Sequence, residues 1–74
     1  MSVLAIGQVW KYVGDNQQRY GEEYVIHELL PAVKVPNWGW HRAVRYRPME
    51  PVATAPNDYV RTEADFRGCF RFVR

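Results

Sequence analysis

From Trp38 to Arg47 the chain alternates with period two. Trp38, Trp40, Arg42, Val44 and Tyr46 fall on one side of an extended strand, and Gly39, His41, Ala43, Arg45 and Arg47 on the other. No helix keeps such a set on one face. Around this run stand prolines at 31, 36, 48, 51 and 56, each of which breaks a helix or a central strand. A chain punctuated in this way is confined to short strands joined by turns. With 74 residues it forms one small domain, 1–74, whose core is thin for its surface. Eleven aromatic residues (three Trp, five Tyr, three Phe) are one way for so short a chain to gather buried area.

Further strands follow from the same pattern. Gln8 to Val13 reads as a first strand and Glu23 to Leu30 as a second, separated by a polar loop between Gly14 and Gly21. In the second strand Tyr24 and Ile26 point one way and Val25, His27 and Leu29 the other. Pro31 is expected to end it, with Val33 and Val35 free to form a short paired stretch. Asp58 to Arg61 is a short fourth strand. Thr62-Glu63-Ala64-Asp65 has the form of a capping box with Asp in the last position. It predicts one helical turn near Thr62–Arg67, ended by Gly68. Cys69 to Val73 closes the series, with Phe70 and Phe72 on one face. The fold class is all-β: a small barrel of four to five short antiparallel strands with one short helical turn. SH3-like topology fits the long first loop, the central meander and the late turn, and an OB-fold ranks second.

Composition removes several functions. Cys69 is the only cysteine, so no internal disulfide forms, and a reducing cytosol is the expected setting. It is expected to pack as a small buried hydrophobe. His27 and His41 have no ligand-like spacing with it, and no metal or cofactor site is expected. No apolar run approaches the roughly 18 residues of a membrane span. The candidate nucleophiles and bases, Cys69, Ser2, Thr54, Thr62, His27 and His41, show no triad-like arrangement, and Glu22 and Glu23 would face opposite ways on a strand. No enzyme is expected.

Charge is uneven. The chain carries net +2, with −1 over residues 1–41 and +3 over residues 42–74; eight of its ten basic residues are arginine. Trp38, Trp40, His41, Arg42, Arg45 and Arg47 gather rings and guanidinium groups in one stretch. Rings stack on bases, and arginine forks grip phosphate. These six are the expected ligand contacts. Trp40, Val44 and Tyr46 also read as core, yet at least one of Trp10, Trp38 and Trp40 should stay partly exposed.

Several longer stretches resemble a known family. Gly7-Gln8-Val9-Trp10-Lys11-Tyr12 followed by Tyr24-Val25-Ile26, then Ala43-Val44-Arg45-Tyr46-Arg47-Pro48, Tyr59-Val60-Arg61-Thr62-Glu63-Ala64-Asp65-Phe66 and Phe70, are similar to the DUF1653-like family of small bacterial and phage proteins. The resemblance implies an SH3-like barrel, no catalytic activity, and a phage or bacterial origin. The expected function is binding of a small anionic, nucleotide-type ligand, including sequestration of a host signalling nucleotide. A protein-interaction module or inhibitor acting on a host protein, and a weak nucleic-acid-binding barrel, are the other expectations. A pocket deep enough for a nucleotide would form between subunits, so a homo-oligomer is expected.

Overall fold

The computed structural model describes residues 3–51 and 57–74. Along the chain lie β1 (Val9–Tyr12), β2 (Glu23–Val35), β3 (Gly39–Pro48), β4 (Tyr59–Thr62), α1 (Glu63–Cys69) and β5 (Phe70–Phe72). The strands form one antiparallel sheet in the order β4-β3-β2-β1-β5. The all-β expectation holds, as do the long first loop and the meander. The sheet is not closed into a barrel, however. β4 and β5 are its two edges, and the chain between them is taken up by α1. Phe66 of α1 is fully buried and stacks on Phe70 with ring centroids 4.3 Å apart. Of the prolines named above, Pro56 falls within residues 52–56, outside the described residues.

The core is aromatic. Trp10, Tyr12, Tyr24, Tyr46, Phe66 and Phe70 form it with Leu4, Ile26 and Val44. Most of the rings meet edge to face, as at Tyr24–Phe70 (5.5 Å) and Tyr12–Phe70 (5.3 Å), which places positive ring edges against negative faces. Leu4 is held by a bracket around Gln8. Its Oε1 accepts from the Ala5 N–H at 3.0 Å and the Trp10 Nε1–H at 3.1 Å, while its Nε2 donates to the Val3 carbonyl at 2.8 Å.

Pro31 does not end β2. The strand runs on to Val35 through two register shifts against β3, between Ile26 and Glu28 and between Leu30 and Val33. Pro31 sits in the second, where its missing N–H costs no ladder bond. The anticipated pairing of Val33 and Val35 is part of the same strand.

Thr62 caps α1: its hydroxyl accepts from the Asp65 N–H at 3.2 Å. Gly68 does not terminate the helix. The helix continues to Cys69, and Phe70 ends it by turning extended while its N–H donates to the Phe66 carbonyl. Cys69 is therefore a helix-end residue at the rim of the core, half-buried rather than buried, with Sγ 3.9 Å from Arg61 Nη1.

Candidate functional site

The β2–β3 hairpin outgrows its neighbours. β1 pairs with β2 over Glu23–Val25, with Gly7 and Gln8 bonding on to Ile26, and β4 pairs with β3 over Ala43–Tyr46. The two long strands stay paired out to Val35 and Gly39, so the outer hairpin is a two-stranded projection. Its turn needs left-handed backbone at Asn37 (φ 68°) and Gly39 (φ 82°), residue types that tolerate it. The Trp38 N–H donates to the Val35 carbonyl at 2.9 Å. The Trp38 carbonyl lies 2.7 Å from His41 Nε2, which fixes the ring of His41 beside the tip.

Among the described residues no second layer covers this projection. Trp38 is 75% exposed and Trp40 67%, so Trp40 is not core as its alternation suggested. Alternation tells which side of a strand a residue takes; only packing from another element buries it. Within the body of the sheet Val44 and Tyr46 are buried as the alternation suggests and Arg47 is exposed, while Ala43, on the Arg47 side, is buried as well.

Three of the six expected residues come together. Trp38, His41 and Arg42 line adjoining hollows against the start of α1. One, of about 390 Å³, is bordered by His41, Arg42, Thr62, Glu63, Ala64 and Arg67. The next, of about 310 Å³, adds Val35 and Trp38 and shares His41, Thr62 and Ala64. An apolar extension reaches under Leu29, Leu30 and Pro31 towards Leu4. Trp40 borders none of these hollows.

Arg45 and Arg47 lie elsewhere. Arg45 is tied into a carboxylate network: Nη1 is 2.8 Å from Glu28 Oε1 and Nε is 3.8 Å from Asp58 Oδ2, whose other oxygen is 2.8 Å from His27 Nε2. Arg47 is exposed, opposite Val25 in the sheet. Among the described residues neither Arg42 nor Arg47 has a carboxylate partner, whereas Arg67 is matched by Glu63 at 3.4 Å.

Sequence reading missed a second arginine cluster. Arg19, from the long β1–β2 loop, lies over the rings of Tyr12, Tyr24 and Tyr59 at 5.0, 5.1 and 4.8 Å. Its Nε donates to the Tyr24 hydroxyl at 2.9 Å, which in turn donates to Glu22 Oε2 at 3.0 Å. Arg61 does the same on the neighbouring ring, donating from Nε to the Tyr46 hydroxyl at 2.8 Å and pairing with Asp65 at 2.6 Å. Burial pulls Arg19 down in pKa, but the Tyr24 and Tyr46 oxygens outweigh it and hold the guanidinium above its ordinary value. Burial also pushes the Tyr24 hydroxyl above the usual tyrosine range. The three rings around Arg19 come from positions 12, 24 and 59, and no local signal joins them. Among the described residues Arg19 Nη2 is buried with no hydrogen-bond partner, so the ring contacts and the single Nε bond are what anchor the long loop to the core.

Neither site assembles a nucleophile with a base. Cys69 meets Arg61 rather than a histidine, and His41 and His27 are held by a carbonyl and by Asp58. Ser2 and Thr54 lie outside the described residues. Among the described residues no three His, Cys, Asp or Glu side chains converge as a metal site would require, and no helix is long and apolar enough to cross a membrane. The chain matches no protein-family model, no curated protein and no solved structure.

Proposed function

We propose that the chain is a non-enzymatic interaction module that grips a partner protein with its outer β2–β3 hairpin. Trp38 and Trp40 are the apolar anchors, and Arg42 and His41 the polar contacts beside them. The observation that carries this reading is the exposure of two tryptophans on a projection that no second layer covers among the described residues. Large rings left in water on a small protein mark a partner surface, and tryptophan and arginine dominate the energetics of such surfaces. The hollows are open and shallow, which suits a protein segment better than a small molecule needing enclosure. A cytoplasmic setting, from the lone thiol, and a phage or bacterial origin, from the family resemblance, belong to the same proposal.

The test is capture from a bacterial lysate with wild-type protein and with the Trp38→Ala/Trp40→Ala variant, both verified as folded. At least one protein retained by the wild type should be lost by the variant. Identical retained sets would sink the reading.

A second reading is supported by the convergence of Trp38, His41 and Arg42 on adjoining hollows. A small anionic ligand of nucleotide type would stack on Trp38 and place its phosphate on Arg42, as a sequestering protein requires. Homo-oligomerisation would deepen that pocket. Tryptophan fluorescence titrations with mono-, di- and cyclic nucleotides at two salt concentrations separate this reading from nucleic-acid binding, whose affinity falls steeply with salt. Absence of binding tighter than about millimolar removes both.

A further inference from the structure

One edge of β3 is unfinished. β2 pairs along β3 out to Gly39, but β4 stops opposite Ala43, where Thr62 hands the chain to α1. Over Gly39–Arg42 that edge faces no strand among the described residues. His41 and Arg42 are consecutive in β3, so the pleat sends their side chains to opposite faces. Both nevertheless border the same hollow, together with Thr62 and the first residues of α1. A hollow reached from both faces of a strand lies off its edge, in the line that β4 would have continued.

Resting on the interaction-module reading, we infer that this hollow receives an extended segment of a partner protein as an added strand on β3. Backbone groups of Gly39–Arg42 would supply affinity through ladder hydrogen bonds, and the side chains on either side would supply selectivity. The chemistry of the segment follows from what flanks the edge. Arg42 has no carboxylate partner among the described residues, whereas Arg67 is already matched by Glu63. An acidic side chain on the incoming strand completes Arg42. At the other end Val35 and Trp38 border an apolar hollow, which takes a β-branched or aromatic side chain. A second copy of this chain is the poorer occupant. Edge-to-edge pairing brings a second Arg42 to the same edge, and like charges across a strand pair oppose it.

The experiment is selection of short random peptides against the full chain, followed by hydrogen exchange on the complex with the best peptide. Enriched peptides should carry Asp or Glu together with a β-branched or aromatic residue. Binding should slow exchange within Gly39–Arg42 by about tenfold or more. Arg42→Glu should weaken binding about tenfold or more, and a peptide with Lys in place of its acid should recover it. N-methylation of alternate peptide amides should abolish binding, without any change to the protein itself. Peptides that bind through Trp38 but leave exchange at Gly39–Arg42 unchanged overturn strand addition and leave the interaction module standing. Strand addition is likewise overturned, and the module kept, if no peptide is enriched while lysate capture still depends on Trp38 and Trp40. Loss of both results removes the two proposals together. Concentration-dependent protection of Gly39–Arg42 without peptide assigns the edge to a second copy and overturns the inference.

Discussion

At the base of the long loop Arg19 lies over three tyrosine rings and bonds to one of their hydroxyls. At the outer hairpin Trp38, Trp40 and Arg42 meet solvent. The two regions use the same residue types to opposite ends. In the first, strands β1, β2 and β4 bring their rings to one place, and the guanidinium fills the gap between them. In the second, two strands are present among the described residues, and the rings stay largely in solvent. Composition is shared between the regions; the number of elements that reach each one is not. Rings and guanidinium groups become core or contact surface according to what covers them.

The largest expected contrast tests that statement directly. Phe66 lies at the centre of the core and is 0% exposed. Phe66→Ala should cost about 3–5 kcal/mol in denaturant unfolding, a large fraction of the stability of a small domain. Trp40→Ala removes a bigger ring, yet should cost about 0.5 kcal/mol or less. A Trp40→Ala loss comparable to that of Phe66→Ala would show that the hairpin is packed against something, and the comparison would collapse.

Much of this division was legible in the sequence for the body and little of it for the projection. The alternation from Trp38 to Arg47 locates β3 to within one residue, and Thr62 is the N-cap that its spacing to Asp65 indicates. Pro31 misleads because a proline that ends a strand and one that sits in a bulge look alike in a single sequence. Gly68 misleads for a related reason: glycine is permitted at a helix end but does not impose one. The exposure of Trp40 depends on where β1 and β4 stop relative to β2 and β3. Strand ends are set by tertiary pairing, which local patterning does not encode. Arg19 is the clearest case of a long-range feature. Its loop reads simply as polar, and its role appears only when residues 12, 24 and 59 share one corner.

The next contrast is between the two arginines. Arg19→Ala removes three cation–π contacts and a hydrogen bond to a ring hydroxyl, and should destabilise the fold by about 2 kcal/mol. Arg19→Lys should recover only part of it, since an ammonium lacks the flat fork that lies between the rings. Arg42→Ala, with no ion-pair partner among the described residues, should change stability by about 0.5 kcal/mol or less while impairing partner binding. Thermal and denaturant melts of the three variants, beside lysate capture, measure both quantities. Equal destabilisation by Arg19→Ala and Arg42→Ala would erase the distinction between an anchoring and a presenting arginine.

The smallest effects sharpen the comparison through backbone alone. Gly39 sits in the hairpin tip at φ 82°, with open space where a Cβ would stand. Gly39→Ala therefore meets no clash, and its cost comes from the left-handed backbone that an L side chain resists, about 1 kcal/mol. Gly68 also has open space around a Cβ, but it lies inside α1 without a positive φ. There the same substitution restricts the unfolded chain and suits the helix, so Gly68→Ala should stabilise by about 0.4–1 kcal/mol. One chemical change thus takes opposite signs in the two regions. The hairpin variant has a further consequence. Because the projection is a two-stranded ribbon with no covering layer among the described residues, strain at its turn should open it locally before the body unfolds. Amide exchange in Gly39–Arg42 should quicken in Gly39→Ala, while exchange at Tyr24, Tyr46 and Phe70 should follow only the change in global stability. Uniform acceleration across both sets would mean that hairpin and body open as one unit, and the outer hairpin would then be as much a part of the core as the rings beneath it.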